Sequence, residues 1–318
     1  MKLAPIKMFP SFRHGAQTPW GGTRLRDVFH KNIPDEHTGE SLELSAIPGL
    51  NSFTEQGVTL GELIEREGTA LTGTDVQGPF PLLLKLIDAR DRLSVQVHPD
   101  DEYAAKVENK QGKTEAWVIL DCDEGAELVF GVREGVTKEA LRKASLEGKE
   151  VEKLLGRVRV QKGDVYYIPS GTVHAIGAGI LIYEIQQSSD VTYRFYDWDR
   201  TDSRGNRREL HIDKAIDVVD LSVRQEKARP SMIGEGRELL LREKYFSLER
   251  WKETWGVLNA DRRVFRILTA LGDTRIRWEN GGMSLLPGQT VLLPADGYDL
   301  GIVTDEALIT YPTVQGAE

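Results

Sequence analysis

The sequence predicts a mainly β fold, either a β-sandwich or a β-barrel, with few helices. Short runs of alternating apolar and polar residues recur along the chain, and turn-forming residues separate them. Glycine alone accounts for 31 of the 318 residues. The clearest runs read RLSVQVH, AELVFGV, GILIYEIQQ, VFRILTA and TRIRWEN. Many short strands with turn signals between them are typical of these two architectures.

Helical signals occur in two segments. Residues 59–67 begin with Thr59 and have Glu62 three positions later, which is the pattern of a capping box. Residues 137–155 combine helical spacing of apolar residues with few β-branched side chains. We expect one helix in each segment.

The chain is predicted to divide near residue 235. Residues 224–238 are charged, contain proline and glycine, and have no apolar periodicity, so we interpret them as a linker. This gives a larger domain over residues 1–235 and a smaller one over residues 236–318.

Residues 162–176 and 287–301 form an internal repeat. Each has a glycine, a proline six residues on, and a polar residue five further, which is His174 in the first copy and Asp299 in the second. We interpret the repeat as one supersecondary unit used twice, although two similar hairpins could coincide. If the repeat is real, the first copy carries the chemistry and the second is structural.

Composition excludes several classes of protein. The net charge of −9 and the pI near 5.4 argue against non-specific nucleic-acid binding, although local Lys and Arg could still bind a small anion. Cys122 is the single cysteine, so no intrachain disulfide can form and a reducing cytoplasm is the expected location. No apolar run has the length of a signal peptide or a membrane span, so we expect no membrane partner.

Four polar residues on predicted strands could bind a metal. Gln96 and His98 lie two residues apart in LSVQVHPDD, so a strand would point both to one face. Glu115 begins an apolar strand, and His174 follows a Pro-Ser-Gly turn where another strand begins. Two imidazoles, a carboxylate and an amide suit a borderline divalent ion such as zinc, with the glutamine as an unusual or accessory ligand.

Each of these residues also has an ordinary interpretation. His98 could be a surface-loop histidine, His174 could bond to backbone within its turn, and Glu115 could pair with Lys113 on a solvated face. The remaining histidines lie in polar, irregular or helix-like contexts without such a pattern: His14, His30, His37 and His211.

Several segments resemble the type I mannose-6-phosphate isomerases, most closely the short bacterial form. The matching segments are WGGTRL, GESLELS, PLLLKLIDARDRLSVQVHPDDEYA, GKTEAWVIL and YYIPSGTVHAIGAGILIYEIQQSSDVTYRFYDWDR. The resemblance extends in order over about residues 15–315. It implies a cupin-type jelly roll with one Zn²⁺ per chain, and interconversion of mannose 6-phosphate and fructose 6-phosphate. Because the second copy of the repeat has Asp299 in place of His174, we also expect about residues 240–318 to form a smaller cupin-like domain without ligands, which packs against the first.

The resemblance assigns roles to nine residues. It implies that Gln96, His98, Glu115 and His174 are the zinc ligands, that Arg194 and Lys113 are catalytic, and that Lys85, Glu184 and Asp190 bind substrate. The general base stays open between Glu184, Asp190, a zinc-bound water and a histidine.

Two features modify the expected pocket. Leu42 and Ile176 stand where the family usually has aromatic residues, and a helical insertion of longer members is missing, so sugar selectivity is open. Alternation predicts that Tyr193 and Phe195 face the core, while Arg194 and Tyr196 face the pocket.

Two other functions are compatible with the sequence. The chain could be a non-catalytic sugar-phosphate-binding cupin, or another metal-dependent cupin enzyme such as an iron oxygenase. The sequence does not decide between a monomer and a homodimer.

Overall fold

The computed structural model describes residues 2–202, 204–223 and 226–314, and it confirms a mainly β fold with few helices. The strands of the first part are β1 (Ile6–Phe9), β2 (Ser11–Arg13), β3 (Glu40–Leu44), β4 (Phe53–Thr54), β5 (Leu82–Ala89), β6 (Val95–Val97), β7 (Glu115–Cys122), β8 (Glu127–Val132), β9 (Leu155–Arg159), β10 (Val165–Ile168), β11 (His174–Ala175), β12 (Ile180–Gln187) and β13 (Tyr193–Tyr196). The later strands are β14 (Ser231–Gly234), β15 (Arg237–Arg242), β16 (Phe246–Leu258), β17 (Arg266–Ala270), β18 (Thr274–Trp278), β19 (Gly281–Leu285), β20 (Thr290–Leu293) and β21 (Leu300–Pro312).

The α-helices in the described residues are short. They are α1 (Arg24–Phe29), α2 (Leu60–Glu67), α3 (Thr69–Thr72), α4 (Asp101–Glu108), α5 (Lys138–Leu146) and α6 (Ile212–Val218). Single 3₁₀ segments occur at Gly15–Gln17 and Gly148–Leu154. Within the described ranges, no helix has the length and apolar character needed to cross a membrane.

Two antiparallel sheets pack face to face as a jelly-roll barrel. One has the strand order β10-β7-β12-β5-β3-β2 and the other β13-β6-β11-β8-β9. Trp117 and Ile182 from the first sheet meet Leu128 and Phe130 from the second in a shared core. Residues between these inward positions, such as Val129, point outward instead. The alternation of side chains between the two faces is therefore confirmed for the second sheet, although its outward residues are buried as well.

A third, ten-stranded sheet covers the other face of the first sheet. Its main order is β14-β15-β16-β21-β17-β20-β1-β4, and β18 and β19 attach through β21. Phe265, Ile267 and Leu308 of this region share a core with Leu84 and Tyr183 of the first sheet. All eight residues of β5 and of β12 are buried because apolar layers lie on both faces, which explains their nearly continuous apolar sequences.

Both predicted helices form, although the second is shorter than expected. Thr59 and Glu62 make the reciprocal capping box at the start of α2. Residues 137–155 form α5 and then the 3₁₀ segment, because Gly148 adopts a φ of +72° and breaks the helix. Together with α6, these elements cover the outer face of the second sheet.

The interpretation of residues 224–238 as a linker is wrong for their second half. β14 and β15 form a hairpin there, and β15 pairs with β16 at the edge of the ten-stranded sheet. The sequence hid this hairpin because Met232 and Ile233 are both exposed, so no apolar alternation marks it. Residues 224–225 lie outside the described residues. β1, near the start of the chain, pairs with β20 in the ten-stranded sheet, so this sheet contains strands from both sides of the predicted boundary. The domain boundary near residue 235 stays a prediction.

The two copies of the internal repeat have the same local structure. Gly163 and Gly288 have φ of +91° and +81°, and each precedes a four-residue strand, β10 or β20. Positive φ at these turns favours glycine because it has no Cβ to clash. The copies differ at their ends: His174 is buried, whereas exposed Asp299 accepts a hydrogen bond from the Ala260 amide at 2.8 Å.

Candidate metal centre and active-site cavity

The predicted metal ligands come from both sheets of the barrel and meet at one end. Gln96 lies on β6, His98 directly follows that strand, and His174 begins β11 opposite Gln96 in register. Glu115 begins β7 in the facing sheet. Val95 and Val97 belong to the apolar core between the second sheet and helices α5 and α6, which we call the outer core. Alternation therefore turns Gln96 into the barrel.

The four side chains converge on one point. The ligand atoms of His98, Glu115 and His174 lie within 4.8 Å of one another. His98 Nε2 lies 3.3 Å from Glu115 Oε1, His174 Nε2 lies 3.6 Å from Glu115 Oε2, and Gln96 Nε2 lies 3.3 Å from His174 Nε2. Each of the three titratable residues is about 1% exposed, so the surface-loop and solvated-face interpretations are wrong.

Backbone carbonyls fix the tautomer of both imidazoles. His98 Nδ1 lies 2.9 Å from Val191 O, and His174 Nδ1 lies 2.9 Å from Thr172 O. A carbonyl only accepts, so each Nδ1 carries the proton and each Nε2 turns a lone pair inward. Burial and the Lys113 charge lower the pKa of His98 to about 3, and burial lowers the pKa of His174. Both rings are therefore neutral at ordinary pH, the state in which an imidazole can bind a metal.

Glu115 is anionic although it is buried. Burial alone would raise its pKa, but the Lys113 ammonium, 2.6 Å from Oε1, holds the pKa well below the usual value. Its Oε2 has no hydrogen-bond partner among the described residues. A buried carboxylate oxygen without a donor, facing two imidazole lone pairs, fits a divalent cation. Two nitrogens and one oxygen, with the amide of Gln96 alongside, are a donor set that zinc accepts.

A cavity of about 270 Å³ opens beside this cluster. Gln96 and Lys113, which lie at the cluster, also line the cavity. Five cationic side chains and three carboxylates line it: Arg13, Lys85, Lys113, Arg194 and Arg208, with Glu40, Glu184 and Asp190. Its apolar lining includes Trp20, Ile87, Leu93 and Ile176. The excess of cations and the small volume favour a small polar anion as ligand.

Lys85 and Glu184 form a buried pair in this cavity. They are register partners on β5 and β12, and Lys85 Nζ lies 2.9 Å from Glu184 Oε1. The Trp117 indole donates to Glu184 Oε2 at 2.8 Å. Burial and the charge of Glu115 raise the pKa of Glu184. Burial would lower the pKa of Lys85, but Glu184 and Glu40 raise it. Lys85 therefore keeps its charge although it is buried.

The strand β13 contributes Arg194 but not Tyr196. Arg194 is the register partner of Gln96 and lines the cavity, and Tyr193 and Phe195 are buried in the outer core as expected. The prediction that Tyr196 faces the pocket is wrong, because a register shift between Arg194 and Tyr196 returns Tyr196 to the outer core.

Asp190 lies at the cavity mouth. Its carboxylate pairs with Lys110 at 2.6 Å, and about a third of the side chain is exposed. Three charged residues of the cavity were not predicted: Arg13, Glu40 and Arg208. Glu40 lies in the GESLELS segment, which was matched as a whole, whereas the irregular context of Arg208 gives no signal.

The chain is similar to a known family model, to curated proteins and to solved structures. The family model for the phosphomannose isomerase type I catalytic domain matches residues 11–134. A mannose-6-phosphate isomerase of Streptococcus mutans is 40% identical over 86% of this chain and 88% of its own length. One from Bacillus subtilis is 40% identical over 95% of each chain. The crystal structure of a Bacillus subtilis mannose 6-phosphate isomerase superposes with a TM-score of 0.89 at 36% identity, covering 97% of this chain and 99% of that one.

Proposed function

Because the chain belongs to the type I mannose-6-phosphate isomerase family, we propose that it interconverts mannose 6-phosphate and fructose 6-phosphate. The proposed reaction proceeds through an enediol and uses one zinc ion held by Gln96, His98, Glu115 and His174. The observation that carries the proposal is the convergence of two neutral imidazoles and a buried carboxylate beside a cationic cavity. That combination suits a phosphorylated substrate whose carbonyl needs an electrophile.

Zinc, when bound, supplies a Lewis acid that polarises the substrate carbonyl and stabilises negative charge on its oxygen. Lys113 adds a fixed positive charge at the same place, since its ammonium lies 2.6 Å from Glu115 and 3.2 Å from His98 Nε2. We propose that Lys113 also steadies the enediolate oxygen. A compact ammonium suits this role because it acts as a point charge.

We propose Glu184 as the group that carries the proton between C1 and C2. The reaction needs a base whose pKa lies closer to neutrality than that of a free carboxylate, and burial moves the pKa of Glu184 in that direction. Asp190 is less suited. Burial would raise the pKa of its carboxylate, but Lys110 lowers that pKa below its ordinary value. Lys85 and Trp117 hold the two oxygens of Glu184 and so orient the carboxylate.

We propose Arg194 as a phosphate ligand. Within the described residues its guanidinium forms no ion pair; it donates to Ser94 Oγ at 3.2 Å and to Glu209 O at 2.8 Å. An arginine that lines the cavity and lacks a carboxylate partner can offer its charge to a substrate phosphate. Asp190, at the mouth, would contact the sugar hydroxyls.

Two coarser features complete the proposal. We propose that the catalytic domain spans residues 1–235 and that residues 236–318 form a supporting domain. We propose the cytoplasm as the location, because one cysteine is the usage expected of a reducing compartment.

A coupled assay with mannose 6-phosphate tests the proposal, run before chelation, after chelation, and after zinc is restored. We expect activity, its loss, and its recovery. His98→Ala should lose activity and zinc together, whereas His37→Ala, which removes an exposed imidazole, should keep both. Turnover by metal-free protein would contradict the zinc assignment, and absence of turnover by zinc-loaded protein would contradict the function.

A further inference from the structure

One carboxylate that the proposed reaction does not use organises the arginines at one wall of the cavity. Asp197 is 6% exposed and does not line the cavity. It accepts two parallel hydrogen bonds from Arg208, with Nε–Oδ2 at 2.6 Å and Nη2–Oδ1 at 2.5 Å. It also accepts one from Arg200 Nη2 at 2.7 Å. A paired fork of this kind fixes both the position and the plane of a guanidinium.

The chain makes a strained turn directly after this carboxylate. Trp198 and Asp199 have φ of +57° and +55°, a region that residues other than glycine seldom occupy. The Trp198 indole donates to Leu93 O at 2.6 Å, and the Arg92 guanidinium lies 3.9 Å from the centre of its ring. These contacts hold the turn against its strain and return the chain so that Arg200 reaches Asp197. Strain maintained in this way is typical of functional sites.

The side of Arg208 away from Asp197 is available to a ligand. Among the described residues, Nη1 of Arg208 has no hydrogen-bond partner, and the side chain lines the cavity with Arg194. Arg194 donates to the carbonyl of Glu209, the residue next to Arg208, which brings the two guanidinium groups to the same wall. Burial and the charge of Arg208 lower the pKa of Arg194, as expected for neighbouring cations.

We propose that Asp197 is a positioning residue that holds Arg208 beside Arg194, so that the two guanidinium groups together bind the phosphate of the substrate. Two like charges at one wall are unfavourable without an anion, and one carboxylate shared between Arg200 and Arg208 offsets only part of that charge. A phosphate dianion supplies what is missing and accepts bonds from both forks. The identity of this anion rests on the proposed function; the arginine arrangement does not.

Four variants and one control test this assignment: Arg208→Gln, Arg208→Lys, Asp197→Asn, the double variant of Asp197→Asn with Arg208→Gln, and Arg207→Gln. Arg207 is the matched control because it is the adjacent arginine, is largely exposed and pairs with Asp199. Each protein is assayed for KM and kcat with mannose 6-phosphate. Its Kd for inorganic phosphate is measured by titration calorimetry, and its thermal midpoint is recorded.

We expect Arg208→Gln to raise KM and the phosphate Kd by about tenfold or more, the effect of one lost charge-assisted contact, with kcat changed much less. Arg208→Lys should recover part of both losses. Asp197→Asn should raise the same two constants, and should add little in the Arg208→Gln background because it acts through Arg208. Arg207→Gln should change neither constant.

An active wild type whose Arg208→Gln variant keeps its KM and phosphate Kd would overturn the assignment, and this variant removes a partly exposed side chain that the core does not need. Equal losses from Arg207→Gln and Arg208→Gln would overturn it too. A wild type that binds phosphate through Arg208 but does not isomerise mannose 6-phosphate would instead overturn the proposed function and leave the arginine pair standing.

Discussion

The jelly-roll barrel and the C-terminal sheet region, residues 246–312, use the same turn, strand and proline unit and differ in what they bury. In the barrel the unit ends at His174, which is buried and aimed at Glu115. In the C-terminal sheet region it ends at Asp299, which is exposed and bonds to a loop amide. The core of the C-terminal sheet region is apolar and includes Trp251, Leu268 and Ile309. The barrel instead has a polar cavity beside its candidate metal ligands.

The difference shows what a metal-capable site requires of a barrel. Buried charge is unfavourable unless it is paired, and each charge at the first site is paired or aimed at a common point. Lys113 stands against Glu115, and Lys85 stands against Glu184. We therefore expect removal of one residue of these pairs to affect the chemistry. Removal of an apolar residue from the core of the C-terminal sheet region should affect stability alone.

The largest expected effect comes from Glu115→Gln. This change keeps the shape and removes the anion that faces the two imidazoles, so metal binding and electrophilic catalysis are lost together. We expect kcat/KM for mannose 6-phosphate to fall by roughly a thousandfold, corresponding to several kcal/mol. Asp299→Asn in the C-terminal sheet region is the control and should keep full activity. Comparable losses in the two variants would remove the distinction between the two regions.

Leu268→Ala should have the opposite signature. Leu268 is fully buried in the core of the C-terminal sheet region, so its truncation leaves a cavity and should lower the free energy of unfolding by about 2–5 kcal/mol. Below the unfolding transition, kcat should be unchanged. Chemical denaturation measures the first quantity and steady-state kinetics the second. A large fall in kcat in the folded variant would mean that the C-terminal sheet region shapes the active site.

Chelated protein should lose stability as pH falls below about 6.5. The folded pKa of His98 is about 3, below its ordinary value of 6.5, so between these values the unfolded chain binds more protons. The stability linked to His98 is complete above pH 6.5 and is lost toward pH 3, at up to about 1.4 kcal/mol per pH unit. Urea denaturation at several pH values measures the slope. His98→Gln should reduce it, and an unchanged slope would contradict the assigned burial of a neutral ring.

The smallest effect is expected from Asp299→His, which gives the second repeat the polar residue of the first. The variant loses the bond to the Ala260 amide, at a cost of about 0.5–1.5 kcal/mol. Among the described residues, the only group of metal-capable side chains is His98, Glu115 and His174, so the new imidazole has no co-ligands and metal content per chain should stay at the wild-type level. Elemental analysis decides this. A second bound metal would show that a histidine at this position is sufficient to give the repeat a metal site.

The metal cluster could be predicted from the sequence because its residues lie at strand ends, where alternation and turn signals fix which face they use. Gln96 and His98 are two residues apart, and the strand period places them together. Glu115 and His174 were candidates from their positions at strand starts, and the resemblance joined them to Gln96 and His98 as one ligand set, since facing sheets cannot be aligned from one sequence alone.

The rest of the site depends on features without a local signal. Arg208 reaches the cavity from an irregular segment only because Asp197, eleven positions earlier, binds it. A register shift in β13 reversed the expected side of Tyr196. The hairpin of β14 and β15 depends on the pairing of β15 with β16. The exposed residues of the hairpin do not indicate this pairing in the sequence.

Anomalous diffraction at the zinc absorption edge, from crystals of the wild-type protein, tests the central claim most directly. We expect one peak per chain, in contact with Nε2 of His98, Nε2 of His174 and the carboxylate of Glu115, and none in the C-terminal sheet region. A peak at another site, or no peak in crystals of protein that retains full isomerase activity, would contradict it.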